Sequence, residues 1–263
     1  MIPKKIHYCW FGRNPKPKLA RKCIKSWEKK CPDYEIIEWN EDNYDLSSAP
    51  IYVQQAYEMK KWAFVTDYVR LHVVYEHGGI YLDTDVELIK TLDSLLNNKA
   101  YFGFEKPQTV NTGLMLGAEP KHPFLKELMR DYEVISFIRQ DGTLDLETCT
   151  DRNTRVFLRN GLIPNGTEQL LQCGVKVYPT DYFRPYNDWT GILELTKNTV
   201  SIHWYNASWQ TEQYMREKKE AVSNHKKYRL ARKVEWLRFL PNRMFRSLLG
   251  DKRYELIKKI IRK

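Results

Sequence analysis

The sequence predicts an α/β fold, a parallel sheet with helices on its faces, followed by a basic helical tail. Two observations lead there. Strand and helix signals alternate through the first hundred residues, the pattern of β-α-β-α-β units. The positive charge is also unevenly placed. Residues 226–263 hold 14 Lys+Arg and 3 Asp+Glu, so of the chain's 43 basic and 33 acidic residues the first 225 keep 29 and 30. The body is neutral, and the tail carries the whole excess.

The elements follow in order. Ile6 to Trp10 is a short apolar run that stops at the loop Gly12-Arg13-Asn14-Pro15-Lys16-Pro17. Leu19, Cys23, Ile24 and Trp27 have helical spacing, and Pro32 ends that helix near Cys31. Tyr34 to Trp39 reads as the second strand, before a polar loop from Asn40 to Asp45. One helical stretch is expected from Ile51 to Glu76, ending at Gly78-Gly79, and Ile80 to Asp83 is the third strand. Further strands are expected at Tyr101–Glu105, Leu114–Gly117, Val175–Tyr178 and Thr199–Tyr205, with helices at Phe124–Phe137 and Thr154–Asn160. Right-handed crossovers would bring the carboxyl ends of the parallel strands to one edge, where open α/β sheets bind ligands. The soft boundary near Ser223 divides a catalytic-size domain, 1–225, from the tail, 226–263.

Composition narrows the function. With 42% hydrophobic residues the chain can bury a large core, which excludes a disordered or fibrous protein. No run of eighteen apolar residues is present, so no spanning helix is expected. The opening Met1-Ile2-Pro3-Lys4-Lys5 has no signal-peptide core, and five scattered cysteines form no C-x-x-C pair. Both features point to a reducing, cytoplasmic setting.

Chemistry concentrates at the expected sheet edge. Asp83-Thr84-Asp85 ends the third strand, and in an extended chain residues i and i+2 share a face. Two carboxylates so placed suit a hard divalent cation shared with a diphosphate. A solvated strand end is the alternative. In the preceding helix Asp67 and Arg70 stand three apart on a stripe with Ala63, Thr66 and Val74, either as a structural ion pair or as an inward-facing site. Gly78-Gly79 permits a sharp turn or close approach to a ligand. Trp10-Phe11 follows the first strand, where aromatic faces could stack on a planar base or simply fill the core. His203 to Trp209 offers an imidazole and polar groups at the last strand. His7, His72, His77, His122 and His225 have no metal-ligand spacing and receive no role.

Taken in order, Ile2 to Gly12, Asp67-Tyr68-Val69-Arg70, Gly78 to Asp85, Asn111-Thr112-Gly113 and His203 to Trp209 resemble the D-x-D glycosyltransferases of family 32, the sugar-binding-region group that includes capsule-synthesis enzymes. The resemblance covers about residues 1–210, and its specific part runs from Ala63 to Glu87. It implies a GT-A, Rossmann-like mixed sheet with flanking helices, a nucleotide-sugar donor (UDP favoured), a Mn²⁺ or Mg²⁺ ion and retention of configuration. Trp10 would stack on the base, with Phe11, Gly79 and Tyr81 in the donor site. Asp67 and Arg70 would hold sugar and diphosphate, and Asp85, with Asp83, would bind the metal. Asn111 and Gly113 would line the sugar and acceptor side. Ser208 and Trp209 would close over the diphosphate, with His203 a further metal ligand. Asp67, Arg70 and Asp85 would be the catalytic set, and a front-face attack by the acceptor hydroxyl fits the lack of an evident nucleophile.

The tail ends in Leu256, Ile257, Ile260 and Ile261, one helical stripe flanked by Lys and Arg. Basic amphipathic segments of this kind lie on anionic membrane surfaces. No nucleic-acid recognition motif accompanies the charge, so nucleic acid is not an expected partner. The expected enzyme is peripheral on the inner face of the cell membrane and extends a lipid-linked oligosaccharide for capsule or exopolysaccharide. Two alternatives stand beside it. One is a haloacid-dehalogenase-like phosphohydrolase, although that motif wants Thr or Val where this chain has Glu87. The other is a non-catalytic, membrane-surface carbohydrate-binding or scaffold protein.

Overall fold

The computed structural model describes residues 1–206 and 210–238, the last six of these by their backbone alone. The chain divides into two compact units, residues 1–186 with 193–209 and residues 187–192 with 210–263. Its elements are β1 (Lys5–Cys9), α1 (Lys18–Lys30), β2 (Glu35–Trp39), α2 (Ile51–Glu58), α3 (Trp62–His77), β3 (Gly79–Tyr81), β4 (Val86–Leu88), β5 (Ala100–Lys106), β6 (Thr109–Val110), β7 (Leu116–Ala118), α4 (Pro123–Glu133), α5 (Cys149–Arg159), β8 (Gln169–Leu170), β9 (Val175–Tyr178), α6 (Thr180–Phe183), β10 (Tyr186–Asn187), β11 (Ile192–Leu193), β12 (Ser201–His203) and α7 (Glu212–Arg238).

The first unit is the expected mixed α/β sheet with flanking helices. Its strand order is β2-β1-β3-β7-β5-β9-β8. β2, β1, β3, β5 and β9 share one direction, while β7 and β8 run against them. The carboxyl ends of β1, β3 and β5 therefore lie along the same edge, where Trp10, Asp83 and Glu105 emerge. The central strands are apolar on both faces because both faces are covered. In β3 and just after it the side chains alternate. Ile80 and Leu82 enter the layer under α1 with Trp27 and Cys23, and Tyr81 enters the layer built by α2, α3, α4 and α5.

α1 buries Ala20, Cys23 and Trp27 along one stripe and carries Lys29 and Lys30 in its last turn, favourably placed against the helix dipole. The Trp27 indole N–H donates to the Val86 carbonyl at 2.7 Å, fixing the start of β4. α3 is buried nearly all round, including Asp67 and Arg70. It ends at Gly78, whose φ of 62° and whose pressure against Pro120 and Pro3 leave no room for a side chain.

The single helix expected from Ile51 to Glu76 is two. At its break Lys60 has a φ of 56°. Lys61 N–H donates to Ala56 C=O at 2.8 Å and Lys60 N–H to Tyr57 C=O at 2.9 Å, a Schellman closure with lysine where glycine is usual. Helical periodicity continues across the break, so the break leaves no mark in the apolar pattern. α5 begins at Cys149 rather than Thr154. Thr148 accepts from Asp151 N–H at 3.2 Å and donates to its carboxylate at 2.8 Å, a reciprocal cap. β12 does not join the main sheet but pairs antiparallel with β4, setting His203 opposite Val86. The helix expected to run to Phe137 ends at Glu133, and Phe137 reaches the core from a loop.

His7, given no role from sequence, locks the turn before β3. A carbonyl only accepts and an indole N–H only donates, so its partners define one neutral tautomer. Nε2–H donates to Gly78 C=O at 2.7 Å, and Nδ1 accepts from Trp39 Nε1–H at 3.0 Å. Burial pushes its pKa down from 6.5 to about 4, against the pull of the Gly78 carbonyl. The unfolded chain therefore binds the extra proton first. His7 contributes stability that is complete above the ordinary value and lost as pH falls toward 4. His7→Leu is expected to flatten this acid limb, worth roughly 3 kcal/mol between the two values. Urea midpoints at pH 7 and pH 4.5 check it, and an identical pH dependence in the variant would reject the lock.

In the second unit, Asp188 pairs with Lys218 at 2.9 Å and Trp189 meets Tyr214 edge-on at 5.5 Å. α7 runs without a break through the boundary expected near Ser223. The apolar stripe at Leu256 to Ile261 lies outside the described residues.

Candidate functional site

The site assembles where β3 gives way to β4. The extended geometry expected at Asp83-Thr84-Asp85 is replaced by a turn, closed by Val86 N–H to Asp83 C=O at 3.0 Å. The turn aims both carboxylates at the imidazole that β12 delivers. His203 Nε2 lies 3.1 Å from Asp85 Oδ1 and 3.9 Å from Asp83 Oδ2. One ligand atom from each of the three residues falls within 4.8 Å of the others.

Each carboxylate is held by its second oxygen. Asp83 Oδ1 accepts from the Tyr81 hydroxyl at 2.9 Å, and Asp85 Oδ2 from Asn206 N–H at 2.7 Å. Burial would raise the Asp85 pKa, but the nearby His203 and the Asn206 N–H outweigh it and hold the group below its ordinary value. Burial likewise acts to lower His203, and Asp85 overcomes it to raise the imidazole pKa. His203 Nδ1 is buried and has no hydrogen-bond partner among the described residues. Two carboxylates and one imidazole, converging with free oxygen edges, are the donor set of a hard or borderline divalent cation. The residues therefore fit a divalent metal ion.

Behind the acidic pair stands Arg70, 4% exposed. It donates to Thr66 C=O from Nε at 3.0 Å, pairs with Asp67 at 3.1 Å and approaches Asp83 Oδ1 at 3.5 Å. Its guanidinium lies 5.2 Å from the centre of the Tyr81 ring. Burial pushes the Asp67 pKa up to about 6, with Arg70 pulling it back down. Gly113 is glycine for reasons of space, since a Cβ there would come within 2.4 Å of Asp83 Oδ2 and 2.7 Å of Arg70 Nη1. Asn111 accepts from Gly113 N–H at 2.6 Å and donates to Glu105 Oε1 at 3.0 Å. These two contacts orient its amide beside the cleft.

At the edge beyond β1, Trp10 is half-buried and lines an open cavity of about 270 Å³ with Asn14, Lys16, Glu38 and Asn40. Its indole N–H donates to Asn14 C=O at 2.6 Å, and Lys16 Nζ lies 5.7 Å from the ring centre while pairing with Glu38.

Three expected donor-site residues are buried in the packing. Phe11 is 4% exposed and meets Tyr44 edge-on in the core. Gly79 is pressed against β1, where a Cβ would meet His7 and Lys5 at 2.9 Å, so its place is set by strand packing. Tyr81 is buried and acts beneath the site, through Asp83 and Arg70. Ser208 and Trp209 lie outside the described residues.

Several residues of the constellation have no sequence signal of their own. Glu105 orients Asn111. Cys149 enters through the unforeseen first turn of α5, with its sulfur 3.8 Å from both Arg70 Nη1 and Asn111 Oδ1. The Thr148-x-x-Asp151 cap is the one feature that could have placed it. Glu87 accepts from Trp204 Nε1 at 2.9 Å and from Lys22 at 2.7 Å, tying the segment after β12 to β4.

Residues 17–102 match the family model for the glycosyltransferase sugar-binding region containing the DXD motif. The chain is 32% identical over 143 residues to inositol phosphoceramide mannosyltransferase 3 of Schizosaccharomyces pombe, covering 52% of this chain and 38% of that protein. It is 28% identical over 165 residues to human lactosylceramide 4-alpha-galactosyltransferase, covering 59% of this chain and 44% of that one. The chain thus spans less than half the length of these relatives. Among solved structures, the PaToxG glycosyltransferase superposes with a TM-score of 0.47 at 19% identity, over 60% of this chain and 69% of that one.

Proposed function

From a chain whose residues 17–102 belong to the DXD sugar-binding-region glycosyltransferases, we propose a metal-dependent, retaining hexosyltransferase that uses a nucleotide sugar, UDP-linked by preference. The observation that carries the reading is the convergence of Asp83, Asp85 and His203 beside the buried Arg70.

Asp83, Asp85 and His203 would hold the cation, which when bound supplies positive charge to the leaving diphosphate. Arg70, fixed by Thr66, Asp67 and Asp83, adds a second positive centre that needs no reorganisation as charge develops. Asp67 and Asn111 offer hydrogen-bond acceptors for sugar hydroxyls. Trp10 offers a ring face for the base, and a bound nucleotide must share that face with the Lys16 ammonium. The acceptor hydroxyl attacks from the side on which the diphosphate departs, and its proton passes to a departing phosphate oxygen.

The acceptor we propose is a lipid-linked oligosaccharide of capsule or exopolysaccharide synthesis. The two curated relatives carry inositol phosphoceramide and lactosylceramide in their names, so acceptors joined to lipid occur among them. The basic tail would seat the enzyme on the anionic inner face of the cell membrane. No helix among the described residues is long and apolar enough to cross a membrane.

A panel of UDP- and GDP-sugars, screened with Mn²⁺ by thermal shift and donor hydrolysis, tests the reading. One sugar nucleotide is expected to raise the melting temperature only when Mn²⁺ is present. No response to any member would reject the transferase reading. Sedimentation with phosphatidylglycerol vesicles tests the tail, and equal binding after deletion of 226–263 would reject its role.

A further inference from the structure

We propose that Arg184 and Tyr205 form a positioning pair that sets the orientation of His203 and so the strength of cation binding. This rests on reading Asp83, Asp85 and His203 as a cation site.

Imidazoles that bind metals usually donate their second nitrogen to a carboxylate or a carbonyl, which fixes the ring. His203 Nδ1 has no such partner among the described residues. Its orientation comes instead from a ring. Tyr205 packs against the His203 imidazole with centroids 4.1 Å apart at 79°, an edge-to-face contact. To bring the ring there, Tyr205 takes a φ of 50°, a left-handed conformation that is strained for a bulky side chain.

Something must hold that conformation, and Arg184 does so in two ways. Its Nε–H donates to the Tyr205 hydroxyl at 2.8 Å, and its guanidinium lies 5.2 Å from the centre of the same ring. Arg184 is itself the cap of α6, with its N–H on Thr180 C=O at 2.7 Å. The end of α6 is tied to the start of β12 by Val200 N–H on Tyr182 C=O at 2.8 Å. On either side of Tyr205, Trp204 N–H donates to Asp85 C=O at 3.0 Å and Asn206 N–H to the Asp85 carboxylate at 2.7 Å. The left-handed residue is therefore clamped between two bonds to a cation ligand, and its side chain orients another.

The test measures Mn²⁺ binding to the full chain without nucleotide, by electron paramagnetic resonance of free Mn²⁺, alongside urea unfolding. Tyr205→Ala is expected to weaken Mn²⁺ binding about 10–100-fold, the usual cost of losing a group that orients a metal ligand. Tyr205→Phe keeps the ring and should retain most of the affinity. Arg184→Met should lose at least as much as Tyr205→Phe, since it also removes the guanidinium–ring contact, and the double variant should add little to Arg184→Met, because both changes remove the same hydrogen bond. Should Tyr205→Ala fold poorly, the non-additive losses of the other variants carry the test. Wild-type affinity in folded Tyr205→Ala, or fully additive losses in the double variant, would overturn the pair alone. Absence of Mn²⁺ uptake by the wild-type chain would overturn the cation reading and the pair with it.

Discussion

Asp85→Asn is expected to lower metal-dependent sugar transfer by roughly a thousandfold or more while the protein stays folded. The substitution keeps the shape of the side chain and one oxygen to accept from Asn206 N–H, so the turn after β3 should persist. It removes the charge from one member of the Asp83–Asp85–His203 set, whose ligand atoms lie within 4.8 Å of each other. The remaining carboxylate and imidazole would bind a divalent ion weakly, and the diphosphate would depart without its main counter-charge. Turnover at saturating donor and Mn²⁺ measures the effect. Activity within tenfold of wild type would show that the reaction does not depend on this carboxylate.

Arg70→Met is expected to act on stability as strongly as on activity. Arg70 is buried beside two carboxylates, at 3.1 Å from Asp67 and 3.5 Å from Asp83. Removing it leaves buried negative charge without a partner, a change that costs about 3–5 kcal/mol. In a chain of this size that is a drop of roughly 10 °C or more in melting temperature. The loss should depend on pH in a definite direction. Asp67 already has a folded pKa of about 6 against its ordinary 3.8, so the native state binds more protons than the unfolded one between those values. Stability from this group therefore falls as pH rises through the window. Without Arg70 the folded pKa climbs further, so the deficit should be largest at neutral pH and shrink toward pH 5 as Asp67 protonates. Urea midpoints across pH 5 to 8 decide it. A deficit that grows on acidification would mean that Asp67 is not the charge being compensated.

Much of the first unit was legible because its signals are local. The apolar runs of β1 and β2, the stripe of α1 and the glycines before β3 each report on a few neighbouring residues, and each element lies within a residue or two of its expected place. The D-x-D pair, the Asp67–Arg70 spacing and the candidate imidazole were likewise readable as residue types in order. The split between α2 and α3 was hidden because a lysine, not a glycine, takes the left-handed position at residue 60. Phe11 and Trp10 are adjacent aromatics with the same local pattern, and alternation around β1 alone does not say which faces the core.

What the sequence determined by itself was a β-α-β framework, a charged cleft at its carboxyl edge and a basic tail, because periodicity and charge placement act along the chain. The tertiary structure decided which atoms meet. A turn rather than a strand aims Asp83 and Asp85, β12 leaves the main sheet to bring in His203, and α5 supplies Cys149 from far along the chain. Those distances depend on strand pairing and helix packing between residues up to 121 positions apart, as Asn206 and Asp85 are. Such contacts are selected by the energy of the whole packed core, and no local window of sequence contains them.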